Sequence, residues 1–422
     1  MRSVDVIVLG AGIAGISAAL HLQARGRQVL LLDRGPAGEE ASRGNAGVIP
    51  RDGCIPHRLS ASPLALGAQA LGLRPEAHVS WRGLRHQLPW LRAFRDASAS
   101  VGVSRYVRAL APVQAAAVGE HLALARAANA LRFFRPTGLV KLHDARDAEA
   151  AELEAHFARI YGTDYSELSS VDLARLEPHL VARGLRAVYW PDGQSVSSPG
   201  GVTKAYARLL RERGGIIDTG DAQSLAGAQG TWSVRASRGV VEAGTVVVAL
   251  GSWSADLLAP LGYAFPLAAL RGYHLHLRPA SGAGLSRPVA DMARGFVLSP
   301  MERGIRLTTG VELAPRDAPA RPRQMAQALA AARQIFPLGS PVDATPWLGT
   351  RPCLPDSLPV IGPAPAHPGL WFCFGHADTG FALGPATGRL LAEMIAGETP
   401  FTDPEAFSAR RFAAGWEMLR FA

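Results

Sequence analysis

Val4-Asp5-Val6-Ile7-Val8-Leu9 runs into Gly10-Ala11-Gly12-Ile13-Ala14-Gly15, and a second apolar run, Val29-Leu30-Leu31-Leu32, ends at Asp33. The near-continuous apolar stretch before Gly10 suits a strand buried on both faces of a parallel sheet. Residues 13–25 are rich in Ala and Leu and stop at Gly26, the pattern of a helix with a glycine C-cap. Leu30 to Leu32 reads as the returning strand, which closes a β-α-β unit. Within it Gly10 permits the tight turn, Gly12 lets a pyrophosphate approach the backbone, and Gly15 lets helix and strand pack closely. The helix N-terminus faces the diphosphate and Asp33 reaches the ribose hydroxyls. The unit predicts an ADP-containing dinucleotide.

Working outward, 422 residues exceed one ordinary domain and suggest two lobes. With 48% hydrophobic and 19% charged residues there is ample material for a core. A net charge of +9 raises nucleic acid as a partner. The charges do not cluster, however: nearly all are single arginines, the only lysines are Lys141 and Lys204, and no basic run alternates with aromatics. That argues against nucleic-acid binding and leaves attraction for anionic substrates or an anionic membrane surface open. Cys54, Cys353 and Cys373 form no CxxC pair, which fits a reducing compartment without disulfides. The chain enters a strand almost at once, with Asp5 inside the apolar run, so no signal peptide is expected. No uninterrupted apolar stretch of about 18 residues is present, so no transmembrane helix is expected either. These readings place the protein in the cytoplasm, with peripheral contact at the inner face of the membrane left open.

Residues 42–62 read as a Ser/Gly/Pro-rich loop and 63–130 as mostly helical, with Trp81, Trp90, Leu91 and Phe94 as anchors. Leu139 to Leu142 predicts a short strand, and 147–160 a helix with Leu153, Phe157 and Ile160 on one face. A helix is expected over 199–213, with strands at Ile216-Ile217 and Thr245 to Leu250. Leu270 to Leu277 alternates, and Phe296 to Leu298 and Ile305 to Val311 flank a turn at Met301-Glu302-Arg303-Gly304, which is hairpin grammar. The tail returns to a strand at Leu370 to Phe374, a loop at Gly375 to Gly380 and a helix over 384–396. Parallel-type segments at both ends and in the middle, with antiparallel ones between, imply two interleaved domains. The first is an α/β dinucleotide-binding domain, Rossmann-like with a parallel sheet, over 1–62, 181–267 and 346–422. The second is an α+β substrate domain on an antiparallel sheet, over 63–180 and 268–345. His274 and His276 share one strand face, but no further Cys/His/Asp cluster joins them, so no metal site is expected.

With these pieces placed, the chain resembles the FAD-dependent D-amino-acid oxidase superfamily. The resemblance rests on the N-terminal unit with Asp33, on Ser42-Arg43-Gly44-Asn45-Ala46-Gly47 and on Val247-Val248-Ala249-Leu250-Gly251. It rests further on Gly349-Thr350-Arg351-Pro352-Cys353-Leu354-Pro355-Asp356-Ser357-Leu358-Pro359-Val360-Ile361-Gly362 and on Gly375-His376-Ala377-Asp378-Thr379-Gly380. Ser299-Pro300-Met301-Glu302-Arg303-Gly304-Ile305-Arg306-Leu307 and the Pro355–Gly362 wording are most similar to the bacterial dehydrogenases of D-amino acids and D-hydroxyproline.

The resemblance implies FAD as the cofactor. Its binding residues would be Gly10, Gly12, Ile13, Ala14, Gly15, Asp33, Arg34, Ser42, Arg43, Asn45, Ala46, Gly47, Gly251, Trp253, Arg351, Gly375, His376, Thr379, Gly380 and Phe381. Arg351 would pair with the substrate carboxylate, a role its planar, permanently charged fork suits. His376 is a candidate donor to the flavin. Phe296 stands where glycine oxidases carry a tyrosine that shares the carboxylate, so a second anchor is needed, and Tyr273 is the candidate. Cys353 lies near the cysteine that binds flavin covalently in monomeric sarcosine oxidases; a small buried thiol is the simpler reading.

The reaction so implied is oxidation of a small D-amino or imino acid, with a hydride passing from Cα to flavin N5. Electrons then go to a quinone or an electron-transfer protein. Sarcosine-type oxidases place a lysine beside the flavin, whereas neither Lys141 nor Lys204 falls in a flavin-facing motif here. The alternatives are a glycine/sarcosine-type oxidase producing hydrogen peroxide and a flavoprotein subunit of a heteromeric amine dehydrogenase complex. Oligomeric state stays open.

Overall fold

In the computed structural model, which describes residues 2–56, 77–79, 81–228, 230–280, 282–321 and 323–413, the strand Arg2–Leu9 is bonded in parallel on both sides. Its neighbours are Val29–Asp33, in register Ile7↔Leu30, and Gly239–Val248, in register Ile7↔Val246. Val6 and Val8 point into one apolar cluster and Ile7 and Leu9 into another. That is the physical reason the run is apolar without alternation. Each such fully buried side chain contributes about 1.5–3 kcal/mol relative to exposure.

The parallel array continues through Ile216–Ala228 on one side and Leu370–Phe374 on the other, with Val360–Pro363 antiparallel at that edge. Thr231–Ala236 joins the array by antiparallel pairing. Helices Ile13–Gln23, Ser100–Ala127, Pro199–Glu212 and Gly380–Ala396 cover the face that carries Val6 and Val8. Gly384 and Gly388 let the last of these lie directly on the first, beside Ile13 and Ala18. The N-termini of those two helices are thereby brought together.

The second sheet is mostly antiparallel and has eleven strands among the described residues. Direct pairing aligns Trp347, His274, Thr308, Val297, Ala290, Lys141 and Val188 in one row across it. Paired residues share a face, so this row lines one side of the sheet. Tyr273, Leu275, Leu277, Phe296 and Leu298 pack on the other side beneath helix Arg323–Ile335.

Several expectations need correction. Strands Arg186–Trp190 and Trp347–Cys353, placed above with the dinucleotide-binding domain, hydrogen-bond into the second sheet. Ile216-Ile217 is only the start of a strand reaching Ala228. In helix Ala148–Tyr161, Ile160 is 58% exposed, while Glu154 is buried in its place. Leu153 and Phe157 do pack against the first apolar cluster, and Lys141 on strand Leu139–His143 draws the Glu154 carboxylate inward. Trp90, Leu91 and Phe94 do anchor helix Trp81–Ala97, while the side chain of Trp81 lies outside what is described. The expectations for residues 57–62 and 63–76 lie outside the described residues.

Candidate active site

A cavity of about 1570 Å³ lies between the two sheets, at the carboxyl ends of the first three parallel strands. The turn after Arg2–Leu9 closes with Gly10 N donating to Leu32 O at 2.8 Å. Gly10 has φ +111, and a methyl group there would lie 2.3 Å from Ala249 O, so no other residue fits. Gly12 caps helix Ile13–Gln23 without a side-chain bond and no acid stands in its first turn. Ser42 Oγ accepts from Ile13 N at 3.0 Å. An anion approaching this end meets backbone N–H groups and the positive end of the helix dipole. Asp33 accepts from Ala11 N at 2.7 Å and Gly35 N at 3.2 Å. Its two oxygens retain lone pairs for a ribose. Arg34 and Arg316 both stack on the Trp253 ring, at 4.0 and 5.2 Å.

The second helix end enters through 375–380. Ala377, at φ 50, donates to Pro352 O at 3.0 Å, while Thr379 N and Oγ1 both donate to His376 O. Asn45 Nδ2 donates to Asp378 O at 3.3 Å, tying the 42–47 loop to this turn. His376 is buried, with Nε2 3.0 Å from Thr387 Oγ1, and burial lowers its pKa to about 4. It is therefore neutral near pH 7 and contributes a dipole rather than a charge.

Arg351 lies on the cavity face of the second sheet. A methyl group on Gly272 would come within 2.3 Å of its Nη1, so the guanidinium rests on the bare backbone at that position. It donates to Gly310 O at 2.8 Å, Thr309 O at 2.9 Å and Arg271 O at 3.4 Å. Every one of these partners is a neutral carbonyl. Among the described residues no carboxylate pairs with Arg351, which lines the cavity with its charge unneutralised.

The expected second anchor is not beside it. Leu270 pairs with Arg351 and shares its face; Tyr273 borders the cavity, but period two turns its hydroxyl to the other face. There its hydroxyl donates to Glu312 at 3.0 Å and accepts from Arg321 N at 2.8 Å and Arg271 at 3.3 Å. Phe296 likewise packs in the helix-covered layer, and Val297 presents its side chain to the cavity side instead. His274 stacks on Trp347 at 4.8 Å, and His276 bonds Asp343 at 2.8 Å while accepting from Arg306 at 3.2 Å. Arg306 then reaches the Arg43 and Asn45 carbonyls and clamps the 42–47 loop onto the second sheet. The side chain of Arg43 turns outward to Glu39. Gly15 and Gly47 sit behind the lining, where an added methyl would strike Gly10 O and Val196 O. The remaining expected cofactor residues line the cavity. Burial raises the Cys353 thiol well above its ordinary pKa, which disfavours the thiolate.

Three features were not anticipated. Lys141 lines the cavity, bonded to Asp52 at 2.7 Å and to Glu154, while Gln114 donates to Asp52 at 2.7 Å. Tyr106, from helix Ser100–Ala127, is a buried tyrosine on the cavity wall. His143, two residues beyond Lys141 on the same strand face, is buried there as well. The signal available was the lysine and histidine alternating with apolar residues in Leu139-Val140-Lys141-Leu142-His143.

The family described as FAD dependent oxidoreductase matches residues 5–394. The chain belongs to that family. It is 31% identical over 429 residues to the D-amino acid dehydrogenase 2 of Ralstonia nicotianae, covering 94% of this chain and 97% of that one. It is 27% identical to a D-amino-acid oxidase of Bradyrhizobium diazoefficiens, covering 96% and 98%. Among solved structures it resembles glycine oxidase from Geobacillus kaustophilus, with a TM-score of 0.74 at 22% identity, covering 97% and 99%. L-proline dehydrogenase from P. horikoshii gives a TM-score of 0.73 at 17% identity, covering 98% and 99%. The cofactor is FAD, and the residues present fit it. Two converging helix N-termini whose N-cap residues make no side-chain cap bond, the Gly10 turn and the Asp33 carboxylate suit a dinucleotide, and the cavity runs on from them to Arg351. Among the described residues no helix is long and apolar enough to cross a membrane.

Proposed function

We propose that this protein oxidises a small D-amino or imino acid and delivers the electrons to an acceptor other than oxygen. The observation that carries the reading is Arg351: a cavity-lining guanidinium held only by backbone carbonyls. A half-buried fork without an anion suits a carboxylate bidentately. Fixing the carboxylate there positions Cα–H and the amine on the cavity side of the sheet, and such positioning supplies much of the catalysis. When bound, the flavin supplies the hydride acceptor. The converging helix N-termini favour the negative charge that accumulates on that side of the site. The oxidised substrate is an imine, which water hydrolyses or which persists when cyclic.

The names of the relatives at 27–31% identity support D-amino acids as the class. The state of the cavity's cations supports a non-oxygen acceptor. A net positive charge beside a flavin favours superoxide formation electrostatically. Lys141 is matched by two carboxylates and His376 is neutral. Arg351 is held by neutral carbonyls alone, and a bound carboxylate neutralises it.

Anaerobic mixing with D- and L-amino acids, D-proline, glycine and sarcosine tests the substrate class. Bleaching by D-amino or D-imino acids is expected; bleaching by L-isomers alone overturns it. Reoxidation with air and with a quinone tests the acceptor: stoichiometric hydrogen peroxide, with turnover no faster when quinone is added, makes the protein an oxidase.

A further inference from the structure

The cavity has a polar corner for which a small amino acid on Arg351 has no use. Strand Leu139–His143 turns Leu139, Lys141 and His143 toward the cavity. His143 is 2% exposed, and neither ring nitrogen has a hydrogen-bond partner among the described residues. Burial, with Lys141 and Arg186 nearby, lowers its pKa to about 4, so the ring is neutral with one N–H and one lone pair. A buried polar atom left unpaired costs about 1–3 kcal/mol, and in a native fold it calls for a partner. Lys141 commits two of its three N–H groups, to Asp52 and Glu154. Val48, Leu139, Met292 and Val297 line the cavity beside it, together with the acids Asp52, Asp147, Glu149 and Glu154.

Arg351 cannot share a small ligand with this corner. The aligned row places Lys141 four strands from His274, and the strand carrying Arg351 is one strand further. The Arg351 guanidinium, however, reaches back over Gly272 to Thr309 O, on a strand three steps from Leu139–His143, so at about 4.8 Å per strand the two sites are roughly 14 Å apart along the sheet. One amino acid extends its backbone by only about 3.6 Å. The cavity, about 1570 Å³, also exceeds the roughly 300–1,000 Å³ of a site for one small molecule.

We propose that His143 and Lys141 bind the electron acceptor, a quinone headgroup, whose carbonyl oxygen accepts from the imidazole N–H and the remaining lysine N–H. This rests on the dehydrogenase reading above. Two donors beside apolar side chains suit a neutral ring ketone, and the acids around them, Asp52 and Glu154 first, repel a second carboxylate. Reducing a quinone to a hydroquinone takes two electrons and two protons. Both electrons and one proton come from the flavin reduced by the amino acid. The second proton comes from solvent. Lys141, its charge matched by Asp52 and Glu154, serves the accepting oxygen as a hydrogen-bond donor.

The test separates the half-reactions of the holoenzyme by stopped flow, using His143→Leu, which removes both unpaired nitrogens, and His143→Gln, which keeps an N–H donor. His143→Leu should leave FAD content, melting temperature and anaerobic reduction by a D-amino acid at or above wild type. Its reoxidation by menadione should slow at least tenfold, with a weaker Kd for the quinone, while reoxidation by ferricyanide is unchanged. His143→Gln should recover part of the menadione rate. Unchanged menadione kinetics in His143→Leu overturn the subsite, as does a loss confined to the reductive half-reaction. If wild-type flavin is reoxidised no faster by menadione than by air, the dehydrogenase reading itself fails.

Discussion

Two cations face the same cavity from the same sheet, and they are held in opposite ways. Arg351 is surrounded by carbonyl oxygens, which orient it without cancelling its charge. Lys141 is locked between Asp52 and Glu154, which cancel its charge entirely. A cation satisfied by dipoles still attracts an anionic ligand, whereas one satisfied by carboxylates has been turned into architecture. Lys141 joins the 50–56 loop, helix Ala148–Tyr161 and strand Leu139–His143 at one point. The distinction also bears on chemistry, because an unpaired lysine and a paired one present different fields to a flavin.

Removing the architectural cation should have the larger effect. Lys141→Met leaves Asp52 and Glu154 buried without a counter-ion, and breaking such a pair costs about 3–5 kcal/mol. Chemical denaturation should show that loss, with Lys141→Met/Glu154→Gln recovering part of it. A single variant as stable as wild type would mean that the carboxylates do not need the lysine.

Next comes the binding cation. Arg351→Lys keeps the charge and loses the fork, so transition-state binding of a carboxylate substrate should fall by about 2–4 kcal/mol. In kinetics that is a higher KM and slower flavin reduction, with FAD content and stability near wild type. A fall in stability without a change in kinetics would reverse the roles assigned to the two cations.

The smallest effect belongs to the opposite face of the sheet. Tyr273→Phe should cost about 0.5–1.5 kcal/mol of stability, because Arg321 N and Glu312 lose a buried partner, and should leave KM unchanged. A tenfold rise in KM without loss of stability would restore Tyr273 as a carboxylate anchor.

What the sequence disclosed and what it withheld follow one physical line. Strand–turn–helix units such as 4–33 and 370–396 are legible because a few neighbouring residues dictate turn, cap and burial together. Arg351 was legible because its residue type and motif suffice to suggest its partner. Which face Tyr273 takes was not legible, since alternation gives two sets of residues but does not say which one meets the cofactor. The Lys141 cluster was hidden for a different reason. Asp52, Lys141 and Glu154 belong to three separate segments, and only the packed fold makes them neighbours. Strand Arg186–Trp190 shows the same limit, as its membership of the second sheet is decided by its pairing with Leu139–His143.

The central claim, that Arg351 acts on the carboxylate and on nothing else, is tested most directly by a cycle of two substrates and two proteins. Anaerobic flavin-reduction rates would be measured for wild type and Arg351→Met, with a D-amino acid and with the matching amine that lacks the carboxylate. The account predicts a loss of at least about 2 kcal/mol in the variant with the amino acid, and equal rates for both proteins with the amine. An equal loss with both substrates would contradict it, because Arg351 would then be serving the flavin or the fold rather than the carboxylate.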